Sequence, residues 1–176
     1  WEGGLASHGA AIGIILSILI FSHVRKKPFL WVMDRMVITV ALAGFMIRMG
    51  NLMNSEIYGL PTSLPWGFQF LHSSTPSEGL VPRHPTQIYE ALSYLVIFFL
   101  LWWYYYKKEG KPAQGMIFGI FLVLVFGVRF LIEFIKEPQV GFERDMILNM
   151  GQMLSIPLII AGCVFIFLAR KKSSPV

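Results

Sequence analysis

The stretch MVITVALAGFMIRMGNLMNSEIYG, Met36 to Gly59, decides the fold. Its first half, Met36 to Ile47, carries no charge, and then Arg48, Asn51, Asn54, Glu56 and Tyr58 follow within a few turns. Extended back to Phe29, the apolar part reaches the roughly twenty residues that a helix needs to cross a bilayer. A membrane span that ends in a dense polar signature raises two questions: whether other spans exist, and what the signature serves.

Four more runs of the same kind occur, at about 5–23, 86–106, 113–135 and 146–169, beside the one at 29–50. Hydrophobic residues make up 55% of the chain, charged residues 14% and aromatic residues 15%, and the mean hydropathy is +0.61. A soluble domain of 176 residues needs more polar surface than this. The fold class is therefore all-α, a polytopic transmembrane bundle of about five spans forming one integral membrane domain over 1–176. The net charge of +5 is spread in small clusters between apolar runs, with no interleaved basic and aromatic face, so membrane lipids are the expected partners and nucleic acid is not.

With an odd number of spans, Arg25, Lys26, Lys27, Lys107, Lys108, Lys111, Arg170, Lys171 and Lys172 fall on one side, which the positive-inside tendency makes the cytoplasm. Trp102, Trp103 and Tyr104 to Tyr106 then sit at the inner headgroups, and the C-terminus is cytoplasmic. The chain opens on WEGG without a starting Met or a basic leader, so it is expected to be the C-terminal part of a larger membrane protein. Cys163, the single cysteine, reads as a small packing residue.

The remaining polar residues collect at the opposite, outer end. His8 opens the first span; Arg48, Asn51, Asn54 and Glu56 close the second; His84, Gln87 and Glu90 enter the third; Arg129 and Glu133 leave the fourth; Asn149 and Gln152 enter the fifth. Each has a plain structural use. Arg48 can snorkel, Arg129 and Glu133 can pair at i,i+4, and Pro85 with Thr86 or His84 can begin a helix. His8 can be a satisfied bundle histidine, and Asn149 and Gln152 can be interhelical glue. Their convergence in one layer points instead to a shared site. Two arginines from different helices can clamp a phosphate, and the start of the third helix adds its positive dipole end. A phospholipid headgroup is the ligand these groups suit, and His8 offers a proton acceptor near neutral pH. The segment 51–85 forms an extracytoplasmic arm, with Trp66, Phe68 and Phe70 placed to dip into the interface and His72 solvated. Motifs for metal, nucleotide or a nucleophilic serine are absent, as are the paired broken helices of many transporters.

In chain order, SHG (7–9), RMGNLMNSEIYG (48–59), HPTQIYE (84–90), GVRFLIEFIKEP (127–138) and NMGQMLSIP (149–157) resemble the bacterial prolipoprotein diacylglyceryl transferases nearly end to end. The resemblance implies a seven-helix inner-membrane enzyme, of which about two N-terminal helices precede this chain. It implies transfer of the diacylglyceryl group of phosphatidylglycerol to the lipobox cysteine in the signal peptide of a preprolipoprotein, giving a thioether and glycerol phosphate with no cofactor or metal. Residue by residue, it assigns Arg48 and Arg129 to the headgroup and the leaving phosphate, with Asn51, Glu56 and Gly59 beside the first arginine. It adds His8 as the histidine of the first block, considered as base, and Glu133 as the acid after the second arginine. His84, Gln87, Tyr89 and Glu90 shape the site, as do Asn149 and Gln152. The family often has a tyrosine one turn before the second arginine, where this chain has Val125 and Phe126, so a phenolic role there does not transfer.

The chemistry asks for a thiol to lose its proton and for an ester oxygen to leave with new negative charge, so the arginines are expected to act mainly in the transition state. His8 is the first candidate for the proton, with Glu133 or a phosphate oxygen in competition. A CDP-alcohol phosphotransferase would need clustered aspartates, and only Asp34 and Asp145 are present. A non-catalytic phospholipid-binding subunit or a transporter would place polar groups near the midplane.

Overall fold

The computed structural model describes residues 7–71, 80–137 and 148–173. Five helices follow one another: α1 Ser7–Val24, α2 Phe29–Met53, α3 Thr86–Lys107, α4 Met116–Ile132, and α5 Met150–Ser173. A 3₁₀ turn, Glu133–Ile135, tightens the end of α4. Among the described residues, Phe29–Met53, Thr86–Lys107, Met116–Ile135 and Met150–Lys171 are long and apolar enough to cross a membrane, and Ile12–Val24 is a shorter apolar helix. The protein is an all-helical membrane protein, and its outward faces expose apolar side chains such as Ile20, Ile47, Val96 and Phe167, as a lipid environment requires.

The core lies where α2, α3 and α4 meet: Val37, Ile38 and Ala41 pack against Tyr94, Ile97 and Leu101 and against Ile117, Phe121 and Leu122. Among the buried residues of α3, Gln87, Glu90, Tyr94, Ile97 and Leu101 recur at alternating spacings of three and four, so one stripe faces the bundle throughout. Its beginning is polar and its end apolar, which places a charged layer above a dry one.

Helix α5 crosses α4 closely through paired glycines. A Cβ at Gly119 would stand 2.8 Å from the carbonyl oxygen of Gly162, and one at Gly162 would stand 2.8 Å from that of Gly119. Without a hydrophobic drive between lipid-exposed helices, such close backbone contact supplies the association energy.

Asp34, one of the two aspartates, is 1% exposed and caps α4 from across the bundle. Its Oδ2 accepts the N–H of Gly115 at 2.7 Å and its Oδ1 accepts that of Phe118 at 2.8 Å. Gly115, at φ +85°, turns the chain into α4, so the helix starts three residues later than the expected 113. At this basic end Arg35 stacks 3.6 Å from the Trp31 ring centroid and donates to the carbonyls of Trp31 and Gly110. Lys107 lies over Trp103 and Lys108 over Tyr104, a belt of cations and rings at this end of the bundle.

Helix boundaries otherwise fall close to expectation. α2 continues to Met53, past the expected end at 50, so Asn51 is still helical; residues 5 and 6 of the first expected span and 146 and 147 of the fifth lie outside the described residues. In the arm, Phe70 departs from the expected interfacial position. It is 3% exposed and stacks 5.0 Å from Tyr58, whereas Trp66 and Phe68 remain exposed. Phe70 packs beneath the arm, with the Phe68 ring 6.3 Å away as its other contact. His72 lies outside the described residues.

Candidate functional site

The end of α2, the start of α3, the end of α4 and the start of α5 meet in one layer. The turn after α2 is strained: Ser55 and Ile57 adopt φ of 54° and 60°, and a β-branched residue there is a genuine outlier. Each such residue costs on the order of 1–3 kcal/mol unless its surroundings hold it. The next helix supplies the hold, because Gln87 Nε2 donates to the Glu56 carbonyl at 2.7 Å and Thr86 Oγ1 donates to that of Ile57 at 3.1 Å. Thr86 and Gln87 are fully buried. The expected capping role of Thr86 or His84 is therefore corrected: Pro85 occupies the N-cap without a side-chain cap bond, since the Thr86 hydroxyl is committed to Ile57.

Within this frame Glu90 is the central anion. Fully buried on α3, it lies 2.6 Å from Arg48 Nε through Oε2 and 3.3 Å from Lys136 Nζ through Oε1. The Arg48 contact is an ion pair without the alignment of a hydrogen bond, as Oε2 accepts none. Arg48 also donates to Asn51 Oδ1 at 3.1 Å; Asn51 Nδ2 donates to Glu56 Oε1 at 2.7 Å, and Asn54 Nδ2 reaches the same oxygen at 3.3 Å. The signature after α2 is thus one hydrogen-bonded wall in which Glu56 steadies Asn51, and Asn51 steadies Arg48.

Lys136 is a member that the sequence reading passed over. It is 5% exposed and joins Glu90 to Glu133, whose Oε2 lies 3.7 Å from its ammonium. Among the described residues, Glu133 has its ion pair with Lys136, and Arg129 has none, so the i,i+4 pair of Arg129 with Glu133 does not form. The cause is local, since the 3₁₀ turn beginning at Glu133 brings residues three apart into line. The Glu133 carboxylate rests against Gly151, where a Cβ would stand 2.5 Å from its Cδ. Helix α5 begins there with a reciprocal cap: Asn149 Oδ1 accepts the Gln152 N–H, and Gln152 Oε1 accepts the Asn149 N–H. Asn149 Nδ2 also donates to the Glu133 carbonyl, so interhelical glue and cap coexist.

Arg129 stands apart. Its Nε is buried, yet it has no hydrogen-bond partner among the described residues. In this layer Arg48 and Lys136 pair with the carboxylates of Glu90 and Glu133, and the charge of Arg129 is left over. Gln87 Oε1 and Gln152 Nε2 are likewise buried without partners. Uncompensated polar atoms in a buried layer are costly without a ligand, and these leave both donors and an acceptor available to one.

The other expected residues frame the layer. Gly59 sits where three segments converge, since a Cβ there would stand 2.6 Å from the Ile135 carbonyl oxygen and 2.7 Å from His84 Cβ. Tyr89 accepts a bond from Trp66 Nε1 at 2.9 Å and lies 3.4 Å from His84 Nδ1, which ties the arm to α3. Arg83, also unremarked in the sequence, is 4% exposed, donates to the Gly59 carbonyl and to Glu137 Oε2 at 2.8 Å, and lies over the Tyr58 ring. No local signal marks it, because its partners lie far along the chain. His8 is in the first turn of α1, and its side chain lies outside the described residues.

A family model described as prolipoprotein diacylglyceryl transferase matches residues 1–168. Proteins named phosphatidylglycerol–prolipoprotein diacylglyceryl transferase are similar along the chain. The one from Tolumonas auensis is 46% identical over 99% of this chain, and the one from Porphyromonas gingivalis is 49% identical over 97%. That from Chlamydia caviae is 44% identical over 98%. The chain spans 66%, 64% and 61% of the length of these three relatives.

Proposed function

The chain belongs to the prolipoprotein diacylglyceryl transferase family, and on that premise we propose that its polar layer is the headgroup site of a diacylglyceryl transfer. The donor is phosphatidylglycerol and the acceptor is the lipobox cysteine of a preprolipoprotein signal peptide. The protein acts in the bacterial inner membrane with this layer toward the outer leaflet and its C-terminus in the cytoplasm. The reading rests on one observation above all: Arg129, half-buried with its Nε fully buried, has no ion pair or Nε hydrogen bond among the described residues, in a layer that already pairs Arg48 and Lys136.

The chemistry follows from where charge develops. A cysteine thiolate attacks the glyceryl carbon that bears the phosphate ester; the new C–S bond forms as the C–O bond breaks, and the ester oxygen leaves with the phosphate as glycerol phosphate. The thiol proton goes to His8 in this proposal. Glu133 suits a positioning role better, because its carboxylate is engaged by Lys136 and packed on Gly151. Arg129 binds the phosphate directly. Arg48, held by Asn51 and Glu90, presents its remaining donors to the same group. Preorganised donors of this kind contribute on the order of 100-fold or more each where charge appears in the transition state. An apolar groove of about 380 Å³ between α3 and α4, lined by Leu92, Val96, Leu100, Leu124 and Val128 among others, suits an acyl chain of the donor.

The test uses the full-length parent in detergent with phosphatidylglycerol and a lipobox peptide. Mass spectrometry should show the peptide gaining one diacylglyceryl group on its thiol. Lipid binding with an unmodified peptide would favour a non-catalytic phospholipid-binding subunit.

A further inference from the structure

The geometry points to Tyr94, through its hydroxyl, as a third donor of the anion site, beside Arg48 and one turn below Glu90. The inference rests on the proposed headgroup reading and adds a residue to it. On the buried stripe of α3, Tyr94 follows Glu90 by one turn and precedes the apolar Ile97 and Leu101, so its phenol marks the lowest polar group of the layer. Helical side chains lean toward the N-terminus of their helix, and the start of α3 is the site end, so the phenol reaches toward the charges and away from the dry core.

The opposite helix is shaped to receive the ring. Gly44 lies one turn before Arg48 on α2, and a Cβ there would stand 3.0 Å from Tyr94 Cδ2. The ring therefore packs against a bare stretch of α2 one turn from Arg48, whose Nε lies 2.6 Å from Glu90, the residue one turn before Tyr94 on the same stripe. A guanidinium has donors only, so toward Arg48 the phenolic oxygen can serve only as an acceptor. That leaves the phenolic O–H free to donate, and a donor polarised by a cation behind it is the stronger for it. The ligand chemistry is a phosphate monoester or diester oxygen, either on a lipid headgroup or on the released glycerol phosphate.

Tyr94→Phe in the full-length protein keeps the ring and removes only this donor. Two readouts separate the possibilities: calorimetric titration with soluble glycerol phosphate, which has no acyl chains to bind, and kcat/KM for phosphatidylglycerol. Glycerol phosphate affinity should fall about tenfold and kcat/KM by on the order of 10- to 100-fold, with a melting temperature close to wild type. Gly44→Ala, which crowds the ring, should shift both readouts the same way by less. If both variants stay within twofold of wild type in both readouts, Tyr94 is packing alone and the inference fails. If the wild type makes no thioether yet binds glycerol phosphate, and Tyr94→Phe weakens that binding, the transferase reading falls and the donor role stands.

Discussion

Replacing Glu90 by glutamine keeps the shape of the side chain and removes the one anion that faces both Arg48 and Lys136. Glu90 is fully buried, and its partners have side chains only 14% and 3% exposed, so solvent replaces little of what is lost. Breaking a buried ion pair by deleting one partner costs about 3–5 kcal/mol. Lys136 keeps Glu133 at 3.7 Å and Arg48 keeps Asn51, which places the expected loss at the lower end, about 3 kcal/mol. For a chain of this size that corresponds to a fall in melting temperature of roughly 6–12 °C. The assay is thermal unfolding of the full-length protein in detergent, followed by tryptophan fluorescence. Removing the second charge as well, in Glu90→Gln with Arg48→Met, leaves Lys136 paired with Glu133 and should restore part of the loss, since replacing both members of a buried pair is far less costly than orphaning one. A Glu90→Gln protein that melts within about 2 °C of wild type would refute the central place given to this carboxylate.

Three further outcomes follow from contacts elsewhere. Asp34→Ala removes the cap on α4 and should cost about 1–2 kcal/mol in thermal stability, with KM for phosphatidylglycerol unchanged because the cap lies at the other end of the bundle. Gly119→Ala drives a Cβ into the backbone of α5, which cannot move aside as a side chain can, so denaturant or thermal titration should show a loss of about 1–3 kcal/mol. Gly151→Ala meets the Glu133 carboxylate at 2.5 Å, and the displaced acid should lower kcat, read by product formation, more than it lowers the melting temperature.

The helices and the polar layer were legible because both are written in local pattern. Runs such as Met36–Ile47 have one stable form in a membrane, and polar residues at the ends of successive spans must share a layer once the topology alternates. Pairing within the layer was less legible. On an ideal helix Arg129 and Glu133 face one another, but the change to a 3₁₀ turn at Glu133 substitutes Lys136 as the partner and frees Arg129. Asp34 and Arg83 were invisible for a different reason, since their partners at Gly115 and Glu137 lie 81 and 54 residues away and no spacing rule connects them. Tyr94 lies within an apolar run with no local sign to set it apart from the core, of which it is also part. The positive φ of Ile57 had no sequence sign either, because the residue type argues against it and only the hold of Thr86 and Gln87 permits it.

The most direct test compares wild type with Arg129→Gln in the full-length protein, supplying phosphatidylglycerol and a lipobox peptide and measuring thioether and glycerol phosphate together. The wild type should release the two products in equal amounts. Arg129→Gln should lose both by on the order of 100-fold or more while melting near the wild-type temperature, because Arg129 has no ion pair among the described residues to lose. A variant that still makes both products at near-normal rates would contradict the account.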